Sequence, residues 1–164
     1  MKISADGLEL IKRSEGFRNH VYKDVAGFST IGFGHRVTSG ESFAEGIDEA
    51  QAAAMLANDV FNAERVVERL VRVALNQGQF DALVDFCFNL GAGRLTTSSL
   101  LRELNAGRYE IAAEQLLRWD LAGGVVNTGL KARRQAEFEL WSKGNSAGST
   151  MPQFVSQEPA PHQA

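Results

Sequence analysis

From Asp48 to Trp141 the apolar residues of this chain recur at helical spacing, and one earlier stretch, Val21 to His35, departs from that period. The change of period restricts the chain to an α+β fold, mainly helical, with a small strand-bearing insert near its start. The longest run, Ala52, Met55, Leu56, Val60, Ala63, Val67, Leu70 and Val71, predicts one helix from about Glu49 to Arg72. Asp48 is its expected cap, with Gln51 three residues on as the capping-box partner. Asn76 and Gln79 repeat that pattern before Phe80, Leu83, Val84, Cys87 and Phe88. Because Ala82, Phe86 and Leu90 fill other faces, this second helix is expected to be buried nearly all round and to centre the helical part. Gly91 stops it, and Gly93 marks a flexible or tightly turned exit.

A short helix carrying Leu100, Leu101 and Leu104 follows, capped by Thr96 or Thr97, and another runs from Tyr109 to about Trp119. The glycine-rich link Ala122 to Gly129 lacks the Lys–Ser/Thr pair of a phosphate loop and reads as a connector. Thr128 is the expected cap of a last helix from Gly129 to Lys143, with Trp141 in the core and Gly144 as its stop. Lys131, Arg133 and Arg134 read as a solvated face of that helix. Residues 145–164, rich in Ser, Gly, Pro and Gln, read as a mobile tail.

The chemistry lies before the long helix. Ser4 is a suitable cap for a first helix ending near Glu15, on which Leu8, Ile11 and Glu15 share one face. A carboxyl at the inward end of an apolar stripe loses hydration, which favours its protonated form and suits it to donate a proton. Gly16 ends the helical pattern, and Val21, Tyr22, Val25, Phe28, Ile31 and Phe33, punctuated by Gly27, Gly32 and Gly34, read as a hairpin. With the turn centred on Gly27, Asp24 and Thr30 fall opposite each other on one face. An acid, a second carboxylate and a hydroxyl able to hold water are what hydrolysis of a glycosidic bond requires. Taken singly, Glu15 reads as a solvated helix end, Asp24 as a turn former, Thr30 as a strand residue and His35 as a hydrogen-bonding strut of the hairpin.

Glu15, eight intervening residues, Asp24, five intervening residues and Thr30, followed by Ile31-Gly32-Phe33-Gly34-His35, closely resemble the catalytic signature of the phage-type lysozymes, the endolysins of glycoside hydrolase family 24. Weaker echoes follow in Gln79 to Gly91, Thr96 to Gly107 and Gly129 to Trp141. The resemblance implies a lysozyme-like domain over residues 1–144, with a small lobe at about 16–47 joined by the long helix to a larger helical lobe. It implies cleavage of the β-1,4 bond between N-acetylmuramic acid and N-acetylglucosamine in bacterial peptidoglycan, with inversion favoured. Glu15 would be the acid, Asp24 and Thr30 would handle the water or the cationic transition state, and His35 would support the hairpin. It further implies storage in the host cytoplasm, with a phage holin opening the way to the wall. Competing readings are a lytic transglycosylase, which leaves Asp24 and Thr30 little to do, a non-catalytic wall-binding module, and a helical interaction protein, which leaves the Glu15–His35 pattern unexplained.

The 164-residue length suits one domain, expected as a monomer. A formal charge of −3 argues against nucleic-acid binding and leaves little net charge to steer the protein toward an anionic wall polymer. The single cysteine, Cys87, sits among Phe86, Phe88 and Leu90 as a small hydrophobe, and synthesis in a reducing compartment is expected. Charges interrupt the first fifteen residues, so neither a signal peptide nor a membrane span is expected there. His20, His35 and His162 are isolated, which predicts no metal site, and no cofactor motif occurs.

Overall fold

The computed structural model describes residues 1–146, with side chains described to Lys143. Helix α1 (Ala5–Glu15) starts at Ser4, whose side chain accepts from the Gly7 amide, and ends at Gly16. A three-stranded antiparallel sheet follows: β1 (Arg18–Lys23), β2 (Ser29–Gly32) and β3 (His35–Arg36), with β2 in the middle. Helix α2 (Glu49–Leu70) links this sheet to the helical lobe, and both β2 and β3 pack against it. The Asp48–Gln51 capping box is present, and the helix ends two residues earlier than its apolar spacing suggests.

Helix α3 (Gln77–Leu90) is the centre of the larger lobe, touching α1, α2 and α7. It begins with the Asn76–Gln79 capping box, and every residue from Gly78 to Cys87 is buried. Around it pack Ile11, Val67, Leu95, Leu100, Leu104, Leu116 and Trp141, each essentially without solvent contact. A fully buried large apolar side chain stabilises by roughly 1.5–3 kcal/mol, so this cluster is the main cohesive element of the fold. Cys87 belongs to it, and burial pushes its thiol pKa up to about 11, which leaves a small hydrophobe and no thiolate at neutral pH.

The structure corrects several local expectations. Hairpin pairing sets Tyr22 opposite Thr30 and Lys23 opposite Ser29, so Asp24 faces Phe28 and not Thr30. Asp24 and Thr30 are therefore diagonal neighbours on one face. The reason is that the Asp24 carboxylate ties the turn itself, accepting from the amides of Ala26 and Phe28 at 2.9 and 2.8 Å. Residues after Gly91 form a short helix, α4 (Ala92–Thr97), in which the hydroxyls of Thr96 and Thr97 bond back to Ala92 and Gly93 carbonyls. The cap of α5 (Ser99–Asn105) is instead Ser98, whose hydroxyl accepts from the Leu101 amide.

Helix α6 (Tyr109–Leu116) stops before Trp119. The expected connector is a two-residue hairpin of β4 (Leu121–Ala122) and β5 (Val125–Val126), turned by Gly123 and Gly124. Both glycines have positive φ, 58° and 82°, the geometry that two-residue hairpin turns require and most side chains resist. Helix α7 (Thr128–Ser146) is capped by Asn127, whose side-chain oxygen accepts from the Leu130 amide, and it continues past the expected stop at Gly144. The rest of the expected tail, 147–164, lies outside the described residues. No described helix is long and apolar enough to cross a membrane.

Candidate active site

Glu15 is the last residue of α1, one step before the glycine that stops the helix, and its side chain is one-quarter exposed. The carboxyl does not end in an apolar setting. The Arg133 guanidinium reaches it from α7, with Nη1 donating to Oε1 at 2.8 Å. Arg133 is itself buried and is gripped by Asp85 of α3, to which Nε donates at 2.9 Å and Nη2 at 2.7 Å. Burial works against its positive charge, but Asp85 first and then Glu15 more than offset this and hold its pKa above the ordinary value.

The other carboxyl oxygen, Oε2, faces the link between β2 and β3. Gly34 sits there with φ of 81°, and a Cβ at that position would lie 3.1 Å from Oε2. Glycine is thus required twice, by the backbone angle and by the approach of the carboxyl. The link is braced against α1: Phe33 is buried, its ring lies 5.6 Å from that of Phe17, and Lys12 stands over it at 5.7 Å.

Thr30 lies four residues before Gly34 on β2, 4% exposed, and its hydroxyl donates to the Phe28 carbonyl at 3.1 Å. Its oxygen lone pairs remain able to accept from a bound water. Asp24, half-buried at the turn, spends Oδ1 on two backbone amides. Diagonal neighbours on a hairpin stand about 7–8 Å apart along the backbone, so the Asp24 and Thr30 side chains leave the hairpin on one face.

His35 occupies β3. Its Nδ1 is 2.8 and 3.0 Å from the two carboxylate oxygens of Asp59 on α2, and its Nε2 is 3.2 and 3.3 Å from those of Glu41. Two acceptors facing two ring nitrogens call for a proton on each. Partial burial lowers the imidazole pKa, but Asp59 and then Glu41 outweigh this and raise it above 6.5. Glu41 also accepts from the Thr38 amide and hydroxyl, and with His35 these bonds hold its pKa below 4.5. The cluster ties the sheet to the long helix. Among the described residues no group of three or more His, Cys, Asp or Glu is placed to hold a metal ion.

The sequence matches the phage lysozyme family over residues 12–137. The chain belongs to that family. It is 42% identical to the endolysin of Bacillus phage B103 over 148 residues, a match covering 89% of this chain and 56% of that protein. It is 39% identical to the endolysin of Salmonella phage P22, covering 82% of this chain and 94% of that one. Among solved structures, the muramidase domain of SpmX from Asticaccaulis excentricus superposes with a TM-score of 0.78 at 37% identity, covering 85% of this chain and 97% of that one. The chain thus spans little more than half the length of the Bacillus phage relative it matches. The fold of this family member is the mainly helical, two-lobed α+β architecture of the lysozymes.

Sequence reasoning missed the groups behind Glu15. Arg133 and Arg134, read as a solvated face, are 7% and 0% exposed, and Asp85 and Glu137 are 0% exposed. A signal for them existed. Asp81 and Asp85 interrupt a helix that has no solvent face, and buried carboxylates in such a place require donors or cations as partners. Ser4 and Gln77 serve Asp81, and Arg133 serves Asp85.

Proposed function

We propose that this phage lysozyme family chain is an endolysin that hydrolyses the β-1,4 bond between N-acetylmuramic acid and N-acetylglucosamine in bacterial peptidoglycan. The observation that carries the reading is the asymmetric setting of Glu15. Oε1 is anchored by Arg133, while Oε2 faces a glycine whose missing side chain leaves space beside that oxygen. Oε2 is the oxygen that delivers the proton. The names of the relatives, endolysins and a muramidase domain, support the same substrate.

On this reading the glycosidic oxygen takes a proton from Glu15, and its bond to the muramic acid C1 breaks as positive charge develops at that carbon. A water accepted by the Thr30 oxygen attacks C1 from the opposite face, and Asp24 takes the proton that the water loses. This single displacement inverts C1, and an NMR assignment of the first-formed anomer tests it. The catalytic unit closes with α7. The enzyme works as a monomer, is held in the host cytoplasm until a holin opens a route, and then acts on the wall.

Glu15→Gln, assayed on purified peptidoglycan, should lose about 10²–10⁴-fold in kcat, the usual contribution of a positioned acid. Turnover near the wild-type level in folded Glu15→Gln protein would remove Glu15 from its role. Mass spectrometry of released muropeptides should show reducing ends, and anhydro-sugar ends would show transglycosylation in place of hydrolysis.

A further inference from the structure

Behind Glu15 lies a chain of buried charges that reaches from the open site into the core of the larger lobe. Its first member, Arg133, has only one arm directed at Glu15. The rest of its donating edge belongs to Asp85: Nε lies 2.9 Å from Oδ2 and 3.2 Å from Oδ1, and Nη2 lies 2.7 Å from Oδ1. A carboxylate gripping Nε and Nη2 together fixes the plane of the guanidinium, and Nη1 can then point in only one direction. That direction is toward Oε1 of Glu15, 2.8 Å away.

A second layer of buried charge lies behind this pair. One residue further along α7, the buried Arg134 directs Nη2 to the Asn89 side-chain oxygen at 2.9 Å and lies 2.7 Å from Glu137 Oε1. Arg134 also stands 5.2 Å from the Phe86 ring centre. Glu137 has no solvent contact, and burial first, then the neighbouring Asp85, push its pKa up and favour its neutral form.

We propose that Asp85 is a positioning residue for Glu15, acting through Arg133. It orients the guanidinium so that Nη1 pins Oε1 and leaves Oε2 directed at Gly34 and the substrate. The inference rests on Glu15 being the acid of the proposed reaction, and it assigns a mechanistic task to a residue that otherwise reads as part of a buried strut.

The two roles separate in kcat. Asp85→Asn keeps the shape of the side chain but replaces one acceptor oxygen by a donor that meets the guanidinium head-on. Misplacement of a catalytic group by about 1 Å costs up to about 100-fold, so kcat on peptidoglycan should fall by about tenfold or more while KM stays within about twofold. In an Arg133→Met background the same Asp85→Asn change should leave kcat where Arg133→Met alone puts it, because the intermediary is gone. A kcat for folded Asp85→Asn within about twofold of wild type, or losses that multiply in the double variant, would overturn the proposal.

Should Asp85→Asn fail to fold, Asp85→Glu retains the charge and displaces the carboxylate by one methylene. Positioning predicts a comparable fall in kcat, and an unchanged kcat refutes it. A readout independent of turnover is the nitrogen NMR spectrum of the Arg133 side chain. Its two Nη groups should give separate signals in the wild type and averaged ones in Asp85→Asn, and signals that stay separate would refute positioning. Absence of wild-type turnover on peptidoglycan, with the NMR behaviour as expected, would sink the proposed reaction and leave the Asp85–Arg133–Glu15 geometry standing.

Discussion

Replacing Gly34 by alanine tests the geometry of the site more directly than removing any charged group. The new Cβ would sit 3.1 Å from Glu15 Oε2, closer than ordinary van der Waals contact, so the carboxyl would have to give by a few tenths of an ångström. It cannot swing away freely, because Oε1 is held by Arg133 at 2.8 Å. The substitution also forces a side chain onto a backbone with φ of 81°, which costs about 1–2 kcal/mol. The second cost says nothing about the site and needs its own control. Gly107 has φ of 77° and nothing within 4 Å of its would-be Cβ, so Gly107→Ala carries the strain without the collision. Both variants should lose about the same stability, about 2–4 °C in Tm for each kcal/mol in a chain of this size. Only Gly34→Ala should lose kcat on peptidoglycan, by about 10- to 100-fold. If its kcat stays within about threefold of that of Gly107→Ala, the claim that Oε2 is the reacting oxygen and that Gly34 keeps it accessible is wrong.

Three further outcomes follow from the packing and charge of the fold. Asp48→Ala, which removes the side-chain acceptor of the Gln51 amide in the α2 capping box, should cost about 1 kcal/mol in urea denaturation with an unchanged m-value. Leu83→Ala, at a site with no solvent contact, should cost about 2–5 kcal/mol, whereas Val125→Ala, at a site 70% exposed, should stay within about 0.5 kcal/mol of wild type. His35→Gln should lower Tm most between pH 4.5 and 6.5, the ordinary values for the Glu41 carboxyl and the imidazole. The raised histidine pKa means that its contribution is complete below the ordinary value and fades as pH rises through the raised one. The lowered Glu41 pKa means that its contribution fades as pH falls through the lowered one. A Tm difference that grows steadily toward alkaline pH would contradict the ion-pair cluster.

Legibility in the sequence followed the range of the interactions. Ser4, Asp48 and Asn76 were readable as caps because their bonds close within three residues, and the spacing alone places the donor and acceptor together. The burial of α3 was readable because apolar residues on every face leave no side for water. The hairpin register lies one position from where the glycine spacing puts it. A glycine looks like the natural centre, yet the Asp24 carboxylate binds the amides of Ala26 and Phe28 and draws the turn one residue earlier. Ser98 and Asn127 cap the helices for which the sequence suggests Thr96 or Thr97 and Thr128, because a shift of one or two residues in phase decides which side chain reaches the amides.

By itself, then, the sequence determined where the main helices and the strand-bearing insert lie, that α3 is buried on every face, and that Glu15 ends the first helix ahead of that insert. Only the tertiary structure decided what surrounds Glu15. Arg133 is 118 residues away along the chain and Asp85 is 70, and no local pattern ties either of them to α1. Their buried charges are tolerable only because α1, α3 and α7 bring carboxylates and guanidinium groups within hydrogen-bond reach. Such compensation belongs to the packed helices together and to none of the three segments alone.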